Sequence, residues 1–150
     1  MSNSPAGPRS RVARPSSARL IVIAADVLIF LFFAIQGRAM HEMSLGELPV
    51  VTALAIMAPF AAPWFAVATL LGVYRTRTLA RPKHVLWTTA LAWLLAGPIG
   101  LVLRAALLQR AVVLPFAAAA LGIIGALLIA WHSLFSMAYS RRAGRQAHDG

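Results

Sequence analysis

Cysteine is absent from the 150-residue sequence, and acidic residues are scarce. Without cysteine, the chain forms no disulfide, no catalytic thiolate and no metal site with cysteine ligands. Only four residues are Asp or Glu, and no paired-carboxylate site, nucleophile elbow or phosphate-binding loop occurs. The sequence therefore predicts no catalytic residues and no cofactor, and an enzyme is the least favoured class of function.

Apolar residues dominate instead, since 60% of the chain is hydrophobic and only 12% is charged. Soluble domains are roughly 45–50% apolar, so this composition indicates an integral membrane protein in contact with the lipid bilayer. The net charge of +10 comes from basic residues at the ends of apolar runs, without interleaved aromatic residues. These residues predict membrane topology and contacts with anionic lipids at the cytoplasmic face, and no nucleic-acid partner.

Four apolar segments approach or exceed the ~20 residues that cross a hydrocarbon core. They predict an all-α, polytopic membrane protein with four transmembrane helices in a compact bundle. The predicted domain covers residues 18–137, with helices at about 18–36, 48–73, 85–103 and 112–135.

The segments outside this domain are polar and basic. Residues 1–17 are predicted to be a disordered cytoplasmic tail, and residues 138–150 a polar cytoplasmic tail. Lys and Arg are concentrated on the side of both termini, which predicts a multi-pass protein of a prokaryotic plasma membrane with both termini in the cytoplasm. A cleaved signal peptide is the competing interpretation of the first apolar run, and Asp26 inside that run argues against it.

Asp26 is the one acid within an apolar run, where a carboxylate costs about 2.5–3.5 kcal/mol on insertion scales. It shares a helical face with Phe30, and we expect this face to point into the bundle. One hypothesis is a polar pocket in which Asp26 pairs, directly or through water, with Arg38, His41 and Arg104 at the outer helix ends. Arg38 is about 18 Å from Asp26 along one helix, so a neighbouring helix must supply the contact.

The alternative is an interhelical hydrogen bond between Asp26 and a threonine, or a carbonyl freed by a proline. The candidate threonines are Thr52, Thr88 and Thr89.

Other residues are predicted to shape the helices. Pro59 and Pro63 interrupt the second apolar run and should kink it, close to Trp64. Gly97 and Gly100 give the third helix a smooth face on which another helix can pack.

The remaining basic residues have simpler interpretations. Arg38 and Arg104 are alternatively anchors at the membrane interface, and His132 is interpreted as an interfacial residue too. The neighbouring pair His41 and Glu42 does not converge as an i, i+4 pair of ligands would, so no metal site is predicted.

Several of these residues follow one another in a recognisable order. Asp26 is followed by Gly37-Arg38 with His41, then by Pro59-Phe60 with Trp64, and then by Gly100 with Arg104. In this order the sequence resembles the domain-of-unknown-function 3054 family of small prokaryotic membrane proteins, with Pro63 in place of the expected glycine. The resemblance implies the four-helix fold and no catalytic or binding role, because the family has no established activity.

Two functions follow as hypotheses. The first is a module that binds or translocates a small solute or a proton at a polar pocket around Asp26. The second is a structural or accessory subunit that packs against a larger membrane complex, with a homo-oligomer or another membrane protein as its partner. A ladder of small residues in the fourth helix would support such packing, within the chain or between copies. Its members are Ala118, Gly122, Ala126 and Ala130.

Overall fold

The fold is that of a computed structural model, which describes residues 17–39, 49–109, 111 and 114–146. These residues form helices and no strand, which confirms the all-α class. The helices are α1 (Ser17–Ala39), α2 (Pro49–Leu70), α3 (Thr76–Leu79), α4 (Pro82–Leu108) and α5 (Leu114–Gln146). The four long helices alternate in direction, so that the start of α1, the link from α2 to α4 and the end of α5 lie at one end of the bundle.

Three of the helices are long and apolar enough to cross a membrane, by length and composition. Their candidate spans are Ser17–Gln36, Pro82–Leu107 and Leu114–Arg141. In α2 the corresponding apolar stretch, Leu54–Leu70, is shorter. The described residues therefore form a membrane helical bundle with three clear candidate spans rather than the four that were predicted.

The end of α2 differs from the prediction because a glycine turns the chain. Gly72 has a φ of 73°, and its N–H donates to the Thr69 carbonyl at 3.1 Å. The N–H of Val73 donates to the Ala68 carbonyl at 2.9 Å, which completes a Schellman motif. Such a motif ends a helix by satisfying its last carbonyls, so α2 stops at Leu70 rather than near residue 73.

The last helix also departs from its predicted end. It continues to Gln146, although residues 138–150 were predicted to be a polar tail. Alanine and arginine are frequent in this stretch and favour helix, so α5 extends past the apolar run.

The link between α2 and α4, residues 71–81, is referred to here as the connector. It packs against the end of the bundle. Val73, Tyr74 and Leu79 are buried, and the Ser136 hydroxyl of α5 donates a hydrogen bond of 2.7 Å to the Leu79 carbonyl. Pro82 then begins α4, at a position where its missing N–H costs no hydrogen bond.

One face of α1 supplies much of the core. Val22, Asp26, Phe30 and Ala34 are all fully buried, at intervals of four residues. The expectation that the face of Asp26 points into the bundle is thereby confirmed. Trp93 of α4 is buried beside this face, with its ring centroid 6.3 Å from that of Phe30.

Two glycines of α4 face different neighbours. A Cβ atom at Gly100 would lie 2.7 Å from Phe60 Cδ1 and 3.0 Å from the Pro59 carbonyl oxygen, which Pro63 cannot satisfy by a helical hydrogen bond. A Cβ atom at Gly97 would meet a leucine of α5 instead. The absence of side chains at these glycines lets α4 approach both α2 and α5.

Candidate functional site

Asp26 is fully buried and accepts hydrogen bonds from residues of other segments. Trp64 Nε1 donates to Asp26 Oδ2 at 3.0 Å, and the Tyr74 hydroxyl donates to the same oxygen at 2.7 Å. His132 Nε2 lies 2.9 Å from Oδ1 and 3.2 Å from Oδ2. All four side chains are buried. These four residues are referred to as the Asp26 cluster.

Each member of the Asp26 cluster comes from a different part of the fold: α1, α2, the connector and α5. Asp26 lies nine residues after Ser17, where the first candidate span begins, and His132 lies nine residues before Arg141, where the last one ends. At 1.5 Å per residue, both are about 14 Å inside the apolar spans. The Schellman motif ends α2 just before Tyr74, which places this residue over the same end of the bundle.

The donors around Asp26 suit a carboxylate. The Trp64 indole can only donate, and the Tyr74 hydroxyl donates as well. Among the described residues, no three His, Asp or Glu side chains converge, so Asp26 and His132 would not by themselves complete a metal site.

The contact between His132 and Asp26 depends on which nitrogen of the imidazole carries a proton. His132 Nε2 either donates to the Asp26 carboxylate or accepts from a protonated carboxyl group. A carboxylate beside a neutral imidazole carries one negative charge. One added proton makes the pair electroneutral, either as carboxylate and imidazolium or as carboxylic acid and imidazole. In both electroneutral forms, Nδ1 of His132 carries a proton.

Tyr74 differs from the other two ionisable members because it serves as a fixed donor. Burial raises the pKa of its hydroxyl well above the ordinary value, and the negative charge of Asp26 raises it further. The hydroxyl therefore keeps its proton at neutral and alkaline pH, and it does not release that proton to Asp26.

Four buried polar side-chain atoms have no hydrogen-bond partner in the described part of the chain, and one of them, Nδ1 of His132, belongs to the Asp26 cluster. The others are Thr89 Oγ1, Trp131 Nε1 and Ser133 Oγ. The His132 ring packs at 89° to that of Trp64, with ring centroids 6.0 Å apart. Thr89 lies one helical turn before Trp93, whose ring packs against Trp64 at 6.1 Å. Buried polar atoms normally bind water or a ligand, so Nδ1 leaves the Asp26 cluster one further position for a hydrogen bond.

The structure describes two side chains of the four-residue pocket that was predicted. Asp26 lies in the Asp26 cluster, whereas Arg104 lies toward the other end of α4, with its guanidinium carbon 4.4 Å above the centre of the Phe116 ring. The structure does not bring these two residues together. His41 and the side chain of Arg38 lie outside the described residues.

Neither of the two described threonines that were considered for Asp26 is its partner. The Thr88 hydroxyl donates to the His84 carbonyl at 2.7 Å, and the described hydrogen bonds of Asp26 include none to Thr89. The side chain of Thr52 lies outside the described residues.

Two members of the Asp26 cluster were missed by sequence reasoning. The interpretation of His132 as interfacial is wrong, since this side chain is fully buried and contacts Asp26. A signal for His132 was present in the sequence. His132 interrupts an apolar run and shares a helical face with Leu128 and Ser136. Because a buried acid requires a partner, a histidine at such a position was a candidate to contact Asp26. Tyr74 had no comparable signal beyond its place next to a turn.

A family model described as a protein of unknown function, DUF3054, matches residues 23–135. The chain belongs to the DUF3054 family. The match confirms the resemblance seen in the sequence, and it includes every residue of the Asp26 cluster. No curated protein and no solved structure matches the chain. DUF3054 membership defines no activity, so a function must be argued from the site itself.

Proposed function

We propose that this protein is a multi-pass protein of a prokaryotic plasma membrane that binds and passes a proton, with Asp26 and His132 as the proton-binding pair. The observation that carries the proposal is the contact of 2.9 Å between two fully buried ionisable groups inside an apolar bundle. Ionisable residues within membrane spans are costly, and they commonly mark ion pathways and proton relays.

The contacts favour a proton over a larger solute. Both carboxylate oxygens of Asp26 are engaged, and the rings of Trp64, Tyr74 and His132 surround them. A proton needs only to move between Oδ1 and Nε2, whereas a small solute would have to displace one of these hydrogen-bonded side chains from Asp26.

Nδ1 of His132 supports passage as well as binding. The imidazole can hold a proton on the nitrogen that faces Asp26 and release one from the other nitrogen, as histidine does in proton shuttles. Nδ1 is buried and has no partner among the described residues, so a water molecule there would continue the path.

In this proposal α2 is the fourth span, and both termini lie in the cytoplasm. With 22 residues α2 is about 33 Å long, which matches a hydrocarbon core of about 30 Å. The connector lies at the same end as the start of α1 and the end of α5, and it carries Arg75, Arg77 and Arg81. Basic residues are enriched in cytoplasmic loops, which supports this orientation.

Proton flux into reconstituted vesicles tests the proposal. Vesicles would contain a pH-sensitive dye, and a potassium diffusion potential would drive protons inward. Asp26→Asn should reduce the flux to that of protein-free vesicles. The fold should persist, because the asparagine oxygen can accept from Trp64 and Tyr74 while its NH₂ group donates to His132 Nε2.

The matched control is Asp149→Asn, which removes an acid outside the described residues and should leave the flux unchanged. Wild-type vesicles that conduct no better than protein-free vesicles would contradict the proposal, as would full flux in the Asp26→Asn variant.

A second candidate function, a structural or accessory subunit, is favoured by the outer face of α5. The small residues Ala118, Gly122, Ala126 and Ala130 are all exposed. A Cβ atom at Gly122 would meet no other described atom within 4 Å. Close approach of another membrane helix is easiest along such a face.

This candidate predicts co-purification from native membranes in mild detergent. Gly122→Leu should release the partner, while Leu127→Ala, on another exposed part of α5, should retain it. A wild-type chain that purifies without any other protein or second copy would contradict the accessory role.

A further inference from the structure

The connector has two faces of opposite character. On its inner face, the Tyr74 hydroxyl donates to Asp26, and the Leu79 carbonyl accepts from Ser136. On its outer face, three arginines are exposed within seven residues, followed by Lys83 in the first turn of α4. The arginines are Arg75, Arg77 and Arg81.

No acidic side chain offsets this positive charge within the described residues. Asp26 is the one acid among them, and it is buried inside the bundle. Arg19 of α1 and Arg141 of α5 are exposed at the same end and add to the charge. The connector thus presents a basic surface where the apolar helices end, which is the depth of lipid headgroups in a bilayer.

We propose that the outer face of the connector binds the phosphate groups of anionic phospholipids, and that bound lipid holds Tyr74 on Asp26. Each basic residue near an anionic membrane surface strengthens binding by roughly fivefold. The proposal needs only that the bundle lies in a membrane, and it goes beyond the proposed function because it stands whether or not the pair passes protons.

The short length of the connector is the reason for the coupling. The buried Tyr74 is followed directly by the exposed Arg75, and the exposed Arg77 by the buried Thr78 and Leu79. A lipid that restrains the arginines therefore restrains the residues that contact the Asp26 cluster. Lipid should lower the frequency with which the connector opens locally.

Hydrogen exchange of the connector amides tests this inference. The full chain would be placed in nanodiscs, which expose both membrane faces, made either of phosphatidylcholine or of phosphatidylcholine with phosphatidylglycerol. If lipid binds only the closed connector, amide exchange slows by a factor of one plus the lipid concentration divided by the dissociation constant of the lipid for the connector. A slowing of about tenfold is expected once that ratio reaches about ten, with amides in the middle of α4 as the unchanged reference.

Two variants with equal loss of charge locate the lipid. Arg77→Gln combined with Arg81→Gln should abolish most of the slowing, whereas Arg19→Gln combined with Arg141→Gln should retain it. An equal effect of both pairs would show unspecific attraction and overturn the assignment to the connector.

Two further outcomes are measured on the wild-type chain alone. Exchange rates that do not differ between the two lipids overturn the proposal without any variant. Slowing that is confined to α3 and absent from Val73 and Tyr74 overturns the coupling to the Asp26 cluster. Proton flux enters none of these outcomes, so a failure of the proposed function would be seen separately.

Discussion

Removal of the Tyr74 hydroxyl measures how much the Asp26 cluster stabilises the fold. Tyr74→Phe deletes the hydrogen bond of 2.7 Å to Asp26 but keeps the ring, which stacks on Phe65 with centroids 6.4 Å apart. Hydrogen bonds to charged groups contribute about 1.5–3 kcal/mol, while those between membrane helices average about 0.6 and reach about 1.7 kcal/mol. Asp26 keeps its bond from Trp64, so we expect the free energy of unfolding to fall by about 1–2 kcal/mol.

The assay is unfolding in mild detergent, followed by circular dichroism, beside the matched variant Tyr139→Phe. Tyr139 also stacks on an aromatic ring, that of Phe135 at 6.1 Å, but its hydroxyl makes no hydrogen bond to another described residue. Its loss should change the free energy of unfolding by less than about 0.5 kcal/mol. Equal stability of Tyr74→Phe and the wild type, or equal losses in both variants, would show that the hydrogen bond from Tyr74 to Asp26 does not stabilise the fold.

Three further predictions use the same unfolding assay or an optical titration. Gly100→Ala should lower the free energy of unfolding by about 1–3 kcal/mol because its Cβ would overlap with α2, whereas Gly122→Ala, on an open face, should be neutral or slightly stabilising. Ser136→Ala should cost about 1 kcal/mol through its bond to the connector, and more than Ser140→Ala, which loses only a bond within its own exposed helical turn. Because the pKa of Tyr74 is raised in the folded protein, only the unfolded chain ionises this residue near pH 10. The free energy of unfolding should therefore fall as the pH rises above that value, and it should fall less in Tyr74→Phe. A tyrosinate absorbance rise in the folded protein that disappears in Tyr74→Phe would contradict the assigned pKa shift.

Composition and periodicity were sufficient for the fold class and for the orientation of α1. Apolar residues at intervals of four place Asp26 and Phe30 on one buried face, because a helix in a bundle turns that face to its neighbours. The bend in the connector could not be predicted in the same way. It depends on the left-handed conformation of Gly72 and on burial of Leu79 against α5, and both are set by packing.

Sequence reasoning did not identify the partners of Asp26, and the reason is physical. Trp64, Tyr74 and His132 are 38, 48 and 106 residues away in the chain, so the depth and rotation of separate helices decide whether they meet Asp26. Charge complementarity pointed to arginines instead. Arg104, however, lies over an aromatic ring, because it is located toward the end of α4 that is remote from the Asp26 cluster.

The same distances explain why the Asp26 cluster depends on the complete bundle. Helices α1 and α5 supply the acid and the imidazole, and the connector supplies a donor, so no two neighbouring helices contain the site alone. Loss of any one segment would leave buried polar groups unpaired, at a cost of about 1–3 kcal/mol for each group.

Nitrogen NMR of His132 in lipid bilayers would show whether the pair of Asp26 and His132 binds a proton, with the His132 signals assigned by comparison with His132→Gln. Either electroneutral form of the pair carries a proton on Nδ1, so Nδ1 should change from unprotonated to protonated as the pH is lowered. In Asp26→Asn the amide donates to Nε2, and Nδ1 should hold its proton throughout. A wild-type Nδ1 that keeps one protonation state over the whole pH range in which the protein is folded would contradict the claim that the pair of Asp26 and His132 binds a proton.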